Sequence, residues 1–160
     1  MVEISEERPD LDEYFIEIAE VVSKRSTCLR HKNGVVLVRD KHIISTGYNG
    51  APSGLPHCNK VGCLREKNMV PSGERHELCR GAHAEANAIV QAALHGANTE
   101  GSTMYSTHRP CSFCAKLIIN AKVKEVVYIF PYPDELALEL LISAGVKLKQ
   151  YESTAPKTLK

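Results

Sequence analysis

The 160-residue sequence predicts an α/β protein, a three-layer α/β/α sandwich around a mixed five-stranded sheet. Segments of helical and strand-like periodicity alternate along the chain in the order α-β-β-α-β-α-β-α-β. The first two strands are joined by a short turn and pair as an antiparallel hairpin. The later strands are separated by helices, and β-α-β crossovers generate parallel pairs.

The elements follow in order. Pro9 and Asp10 precede Leu11, Phe15, Ile18 and Val22, spaced four, three and four residues apart. That spacing is one face of an amphipathic helix with Asp10 as its N-cap, and these four apolar residues are expected in the core. A basic connector, Lys24 to Lys32, leads to Asn33-Gly34. Val35–Val38 and Ile43–Thr46 are β-branched runs around a turn at Arg39–His42. Gly47-Tyr-Asn-Gly-Ala-Pro-Ser-Gly54 carries three glycines and a proline in eight residues, which excludes regular structure and allows backbone to approach a ligand closely. From Leu55 to Arg80 neither period survives. This stretch, a Cys-rich insert at about 55–80, holds Cys58, Cys63 and Cys79, with His57 and His76 nearby. A structureless insert of that length needs something to pin it, and a metal would do so.

His83 to Leu94 is an alanine-rich helix with Ala86, Ile89, Val90 and Ala93 on one side and Gly96 as its stop. Ser102–Thr107 is a strand. Pro110 to Ala121 is a helix with the proline at or just before its first turn. A strand lies within Val123–Phe130. Asp134 to Ala144 is a helix with Leu136, Leu140 and Leu141 apolar, ended by Gly145. Val146–Leu148 is the last strand, and a polar tail from Tyr151 is expected to be loose. The length fits a single domain, residues 1–160.

Composition excludes several classes. Twenty Lys and Arg against 19 Asp and Glu leave a formal charge of +1, so no global basic field favours nucleic acid, although a local patch stays open. No apolar run approaches the roughly 20 residues of a membrane span. The polar, acidic N-terminus does not resemble a signal peptide, and a cytoplasmic location is expected. In a reducing compartment the six cysteines are expected to be metal ligands or buried thiols rather than disulfides.

Two short segments carry the chemistry. His83-Ala-Glu85 places an imidazole and a carboxylate two residues apart, and Pro110-Cys-Ser-Phe-Cys114 places two thiols three apart. One imidazole and two thiolates give zinc three ligands with a fourth position open, the arrangement of a catalytic rather than a structural site. Helix N-terminal amides favour thiolate over thiol at Cys111 and Cys114, and N–H donors to the sulfurs preserve the Lewis acidity of the metal. Glu85 is placed to move protons. Alone, H-x-E means little, and C-x-x-C fits a redox pair or half a zinc ribbon. Together and in this order they match the general signature of zinc-dependent nucleobase deaminases.

At these residues the sequence resembles the cytidine/deoxycytidylate deaminase superfamily and is most similar to the deoxycytidylate (dCMP) deaminases. Gly47–Gly54 resembles that family's Gly-Tyr-Asn-Gly-x-Pro-x-Gly loop. His83-Ala-Glu-Ala-Asn-Ala88 resembles its H-A-E-x-N-A run, and Thr107-His-Arg-Pro-Cys-Ser-Phe-Cys114 its second zinc motif. The resemblance extends from the first helix to the last strand. It implies a cytidine deaminase-like fold and hydrolysis of dCMP to dUMP and ammonia with a catalytic Zn2+. It further implies that Asn49 hydrogen-bonds the nucleotide, that the Ala84 N–H holds the pyrimidine carbonyl, and that the main chain near Thr107 receives the leaving amine. Arg25 and Ser26, after the first helix, are the phosphate candidates. The resemblance also implies a homo-oligomer, with a hexamer favoured, and possible activation by dCTP and inhibition by dTTP at the glycine-rich loop. A second, structural zinc is expected on Cys28, Cys58, Cys63 and Cys79, with His57 and His76 as alternative ligands. Competing readings are a deaminase for cytidine, guanine, a riboflavin precursor or tRNA adenosine, and an idle zinc module that binds a nucleotide or a partner.

Overall fold

The computed structural model of the protein describes residues 8–152. Helix α1 (Leu11–Ser23) begins as expected: the Asp10 carboxylate accepts from the Glu13 N–H at 2.8 Å. Its buried face is Phe15, Ile16 and Ala19, with Ile18 and Val22 at the margin. Leu11, expected in the core, is exposed; it opens the helix one turn before the first buried residue. Strands β1 (Gly34–Arg39) and β2 (His42–Tyr48) form the expected hairpin. Its turn places Asp40 and Lys41 at φ 51° and 64°, the left-handed pair whose twist suits a two-residue hairpin.

Gly47 and Tyr48, expected in an irregular loop, belong to β2. The insert is also not structureless. It contains two single-turn helices, α2 (Cys58–Val61) and α3 (Leu64–Lys67), and a 3₁₀ turn at His76–Leu78. One turn is too short to leave a periodic pattern, which is why the sequence does not display them.

The remaining elements are α4 (Ala84–Leu94), β3 (Thr103–His108), α5 (Ser112–Asn120), β4 (Glu125–Phe130), α6 (Glu135–Ser143) and β5 (Lys147–Gln150). The sheet order is β2-β1-β3-β4-β5. β1 runs antiparallel to both β2 and β3, whereas β3, β4 and β5 are mutually parallel. Alternate residues of each strand face opposite layers. Val36, Val38, Tyr105, Val127 and Ile129 meet α1, while Val35, Leu37, Met104, Val126 and Tyr128 meet the helices of the other layer.

Two glycines on neighbouring rungs of the hairpin set how close the layers come. A Cβ on Gly34 would lie 2.1 Å from the Ala19 carbonyl oxygen of α1, and one on Gly47 would lie 2.2 Å from the Ala84 oxygen of α4. Backbone-to-backbone packing this tight admits only the smallest helical face. Hence α4 buries Ala84, Ala88 and Ala92; of the expected face, Ile89 packs partly buried against the same core, while Val90 and Ala93 are exposed. In α6, Ala137 and Leu141 are buried while Leu136 is exposed. At the C-terminus Tyr151 is not loose: its N–H donates to the Tyr128 carbonyl at 2.7 Å. Residues 153–160 of the expected tail, and residues 1–7, lie outside the described residues.

Candidate metal and catalytic site

The site forms where the N-termini of α4 and α5 meet. The chain is delivered to α4 by a bridge between Gly50 and Ala82, in which each N–H donates to the other's carbonyl at 3.2 and 2.9 Å. The next residue, His83, is the N-cap of α4, and Cys111 is the N-cap of α5. His83 Nδ1 lies 3.4 Å from Cys111 Sγ and 3.5 Å from Cys114 Sγ. Tetrahedral zinc with Zn–N near 2.0 Å and Zn–S near 2.3 Å requires an N···S edge of about 3.5 Å. Both N···S distances and the chemistry of the three donors therefore fit that ion. Glu85, in the first turn of α4 and 3% exposed, brings a carboxylate oxygen within 4.8 Å of the His83 and Cys114 ligand atoms.

Electrostatics follow the geometry. The backbone N–H of Cys114 donates to Cys111 Sγ, as expected at a helix N-terminus. The two thiols share a proton: hydrogen bonding from Cys114 draws Cys111 down to about 4, while donation to the Cys111 sulfur and burial hold the proton on Cys114. Hydrogen bonds to Cys111 and Cys79 push His83 up to about 10. Burial raises Glu85, partly opposed by the neighbouring His83 charge.

Other predicted residues are placed as follows. Ala84 is the first residue of α4, so its N–H is a first-turn amide without an intrahelical acceptor. The Asn49 side chain accepts from the Asn33 N–H at 2.8 Å and donates to the His31 carbonyl at 2.7 Å. Those bonds hold the basic connector against the site and leave half of the amide's hydrogen-bonding capacity. Thr107 is buried at the end of β3, its hydroxyl accepting from the Gly34 N–H at 3.1 Å. Ser26 and Arg25 do not reach the cavity over the metal ligands. The Ser26 hydroxyl is buried and donates to the Asn49 carbonyl at 2.8 Å, while exposed Arg25 lies over the Tyr48 ring.

Cys28, Cys58, Cys63 and Cys79 all line the same cavity as His83 and Glu85. Among the described residues, the two groups of three with ligand atoms within 4.8 Å of one another are His76, His83 and Cys111, and His83, Glu85 and Cys114. Neither includes these four cysteines.

A profile of the family described as "Cytidine and deoxycytidylate deaminase zinc-binding region" matches residues 9–130. The chain belongs to this family. It is 39% identical over 145 residues to the deoxycytidylate deaminase of Schizosaccharomyces pombe, covering 90% of this chain and 45% of that protein. Identity to the Mycobacterium phage D29 deoxycytidylate deaminase is 40% over 126 residues, covering 76% of this chain and 95% of the phage protein. The chain thus spans about half the length of the yeast relative. The solved dCMP deaminase of cyanophage S-TIM5, in complex with dCMP and dUMP, superposes with a TM-score of 0.76 at 30% identity, over 90% of this chain and 98% of that one.

Two residues beside this deaminase-family site carry no sequence signal strong enough to single them out. Asp134 caps its own helix through Ala137 N–H at 3.0 Å and also accepts from the Ser112 N–H at 2.8 Å, so it pins the start of α5, between the two cysteine ligands. A doubly used cap is visible only once α5 and α6 are neighbours. Arg65, at 7% exposed, enters the cavity from α3.

Proposed function

We propose that the protein deaminates dCMP with water, giving dUMP and ammonia and supplying a precursor of dTMP. The convergence of Glu85 on the point defined by His83, Cys111 and Cys114 carries this reading, because a purely structural site has no use for a buried carboxylate there. The relatives, which include a dCMP deaminase solved with dCMP and dUMP, support the substrate.

Zinc, when bound by His83, Cys111 and Cys114, supplies the Lewis acidity that makes water a nucleophile at neutral pH. Glu85 takes a proton from the attacking water and delivers it to the ring nitrogen; it then takes the remaining hydroxyl proton of the addition product and passes it to the amine, so that the C–N bond breaks as the C=O bond forms and ammonia leaves. Its raised pKa suits a group that must both accept and return a proton. The Ala84 N–H donates to the pyrimidine carbonyl, Asn49 orients the sugar, and the main chain at Thr107 accepts from the amine.

Glu85→Gln is expected to retain zinc and to lose about 10²–10⁴-fold in ammonia release; retained turnover would sink the mechanism. Ammonia release from dCMP should exceed that from deoxycytidine, CMP and dCTP, and equal rates with deoxycytidine would reject the nucleotide substrate.

The reading extends to a homo-oligomer, hexamer favoured, with triphosphate effectors, in the cytoplasm. Among the described residues no helix is long and apolar enough to cross a membrane. A second, structural zinc on Cys28, Cys58, Cys63 and Cys79 is supported by their common cavity and by the mutual effect of these thiols: burial and the other three all push Cys58 up. Two zinc ions per chain are expected by metal analysis, and one would reject the second site.

A further inference from the structure

His76 stands against the metal ligands and takes no part in the proton transfers assigned to Glu85. Its ring packs edge-on to His83, with centroids 5.1 Å apart, and to Phe113, which lies between the two cysteine ligands, at 6.0 Å. It therefore touches both helix starts that form the site. Its two nitrogens differ. Nε2 lies 3.3 Å from the Tyr132 hydroxyl. Nδ1 is buried and has no hydrogen-bond partner among the described residues. A buried polar atom left alone is costly, so Nδ1 calls for a partner from outside the chain.

Its position says which partner. The ligand atoms of His76, His83 and Cys111 all lie within 4.8 Å of one another. The N···N and N···S edges of tetrahedral zinc are about 3.3–3.5 Å, so an approach of about 1.5 Å at most completes the polyhedron. Nδ1 is the nitrogen free to bind. With Nε2–H donating to the Tyr132 hydroxyl, Nδ1 presents a bare lone pair, and metal-bound imidazoles are ordinarily oriented by such a bond at the other nitrogen. Tyr132 is itself anchored: its hydroxyl hydrogen-bonds Arg65, and its carbonyl accepts from Arg109 at 2.6 Å. Glu85 also comes within 4.8 Å of two ligand atoms, but beside Cys114, with which its carboxylate already hydrogen-bonds.

We propose that His76 is a fourth protein ligand of the metal held by His83, Cys111 and Cys114, bound through Nδ1 while no substrate is present. This rests on reading those three residues as metal ligands, and it removes His76 from the alternatives for the second zinc. Two thiolates and two neutral imidazoles fill the coordination of zinc and cancel its charge. The His76–Leu78 turn contains no buried residue, so the ring can withdraw without disturbing the core. Its withdrawal opens the position at which water and the cytosine ring react.

The number of imidazoles bound to zinc per chain is counted by X-ray absorption at the zinc edge, with zinc content measured alongside. The proteins are substrate-free wild type, His76→Ala, His76→Gln and His83→Ala. Two imidazoles are expected in wild type, one in either His76 variant and none in His83→Ala. The four-cysteine site proposed above adds no imidazole to these counts. In competition with a chelator, His76→Ala should hold zinc about 10–100-fold less tightly, the scale on which groups around a metal contribute. Should His76→Ala fail to fold, His76→Gln, which keeps an amide for Tyr132, carries the test with the same fall from two to one. A wild-type count of one, or a count or zinc affinity that neither His76 variant changes, would overturn the assignment. So would one imidazole persisting in His83→Ala, because His76 would then sit on a different metal. Ammonia release from dCMP is followed in parallel. If wild-type protein turns over no cytosine compound while the counts are two, one and none, the fourth ligand stands and the deaminase reading falls. If dCMP is turned over and the wild-type count is one, the reverse holds.

Discussion

As the proposed metal ligand, His83 would bind protons and metal through the same imidazole, so the two would compete. Hydrogen bonds to Cys111 and Cys79 push it up to about 10, which keeps it cationic at neutral pH while no metal displaces the proton. A ligand imidazole must be neutral and both thiols ionised, so loading expels protons. The apparent affinity for zinc should therefore rise steadily with pH from about 6 to 9. Competition against a chelator of known affinity across that range checks it, and a flat profile would contradict the pairing. That His83, Glu85, Cys111 and Cys114 come together was legible in the sequence because few chemistries require those residue types at those spacings. Arg65 was not, because a single arginine in an aperiodic stretch looks like any solvated charge until burial is known.

At the level of elements, the site depends on how two helices begin. Burial alone would raise the Asp134 carboxyl, but donation from the Ser112 and Ala137 amides outweighs it and the net shift is downward. A group depressed in the folded state contributes stability above its unfolded value, near 4, and that contribution disappears as pH falls through the lower folded value. Asp134→Ala should cost about 1–2 kcal/mol at neutral pH, the usual range for a lost cap, and the deficit should shrink in acid. Urea melts at neutral and acidic pH measure this, and a deficit independent of pH would argue against the capping role. Element order and type were readable from periodicity. The buried face of α4 was not, since periodicity counts apolar side chains, whereas Gly47 selected the face by leaving space for nothing larger than alanine.

For the molecule as a whole, metal and fold are linked. A ligand that binds only the folded state stabilises it by about 2.7 kcal/mol when present at 100 times its dissociation constant. Removing zinc with a chelator should accordingly lower the melting temperature, and adding it back should restore the loss; a melt indifferent to zinc would exclude His83, Cys111 and Cys114 as a tight site. The layered α/β architecture was legible, but the antiparallel pairing of β1 with β3 was not. Those strands are joined through the insert and α4, and local patterns carry no record of which distant strand becomes a neighbour. Charge was hidden in a similar way, because a sum of +1 says nothing about four arginines gathered around one cavity.

The division of labour between scaffold and insert has a practical side. The reacting groups sit on the ends of packed helices, whereas Arg65 arrives on a single helical turn outside both apolar clusters. Exchanging the segment around α3 would thus alter the charge lining the cavity while sparing the helix starts that carry His83, Glu85, Cys111 and Cys114. That makes the insert the natural place to begin changing which molecules the cavity admits.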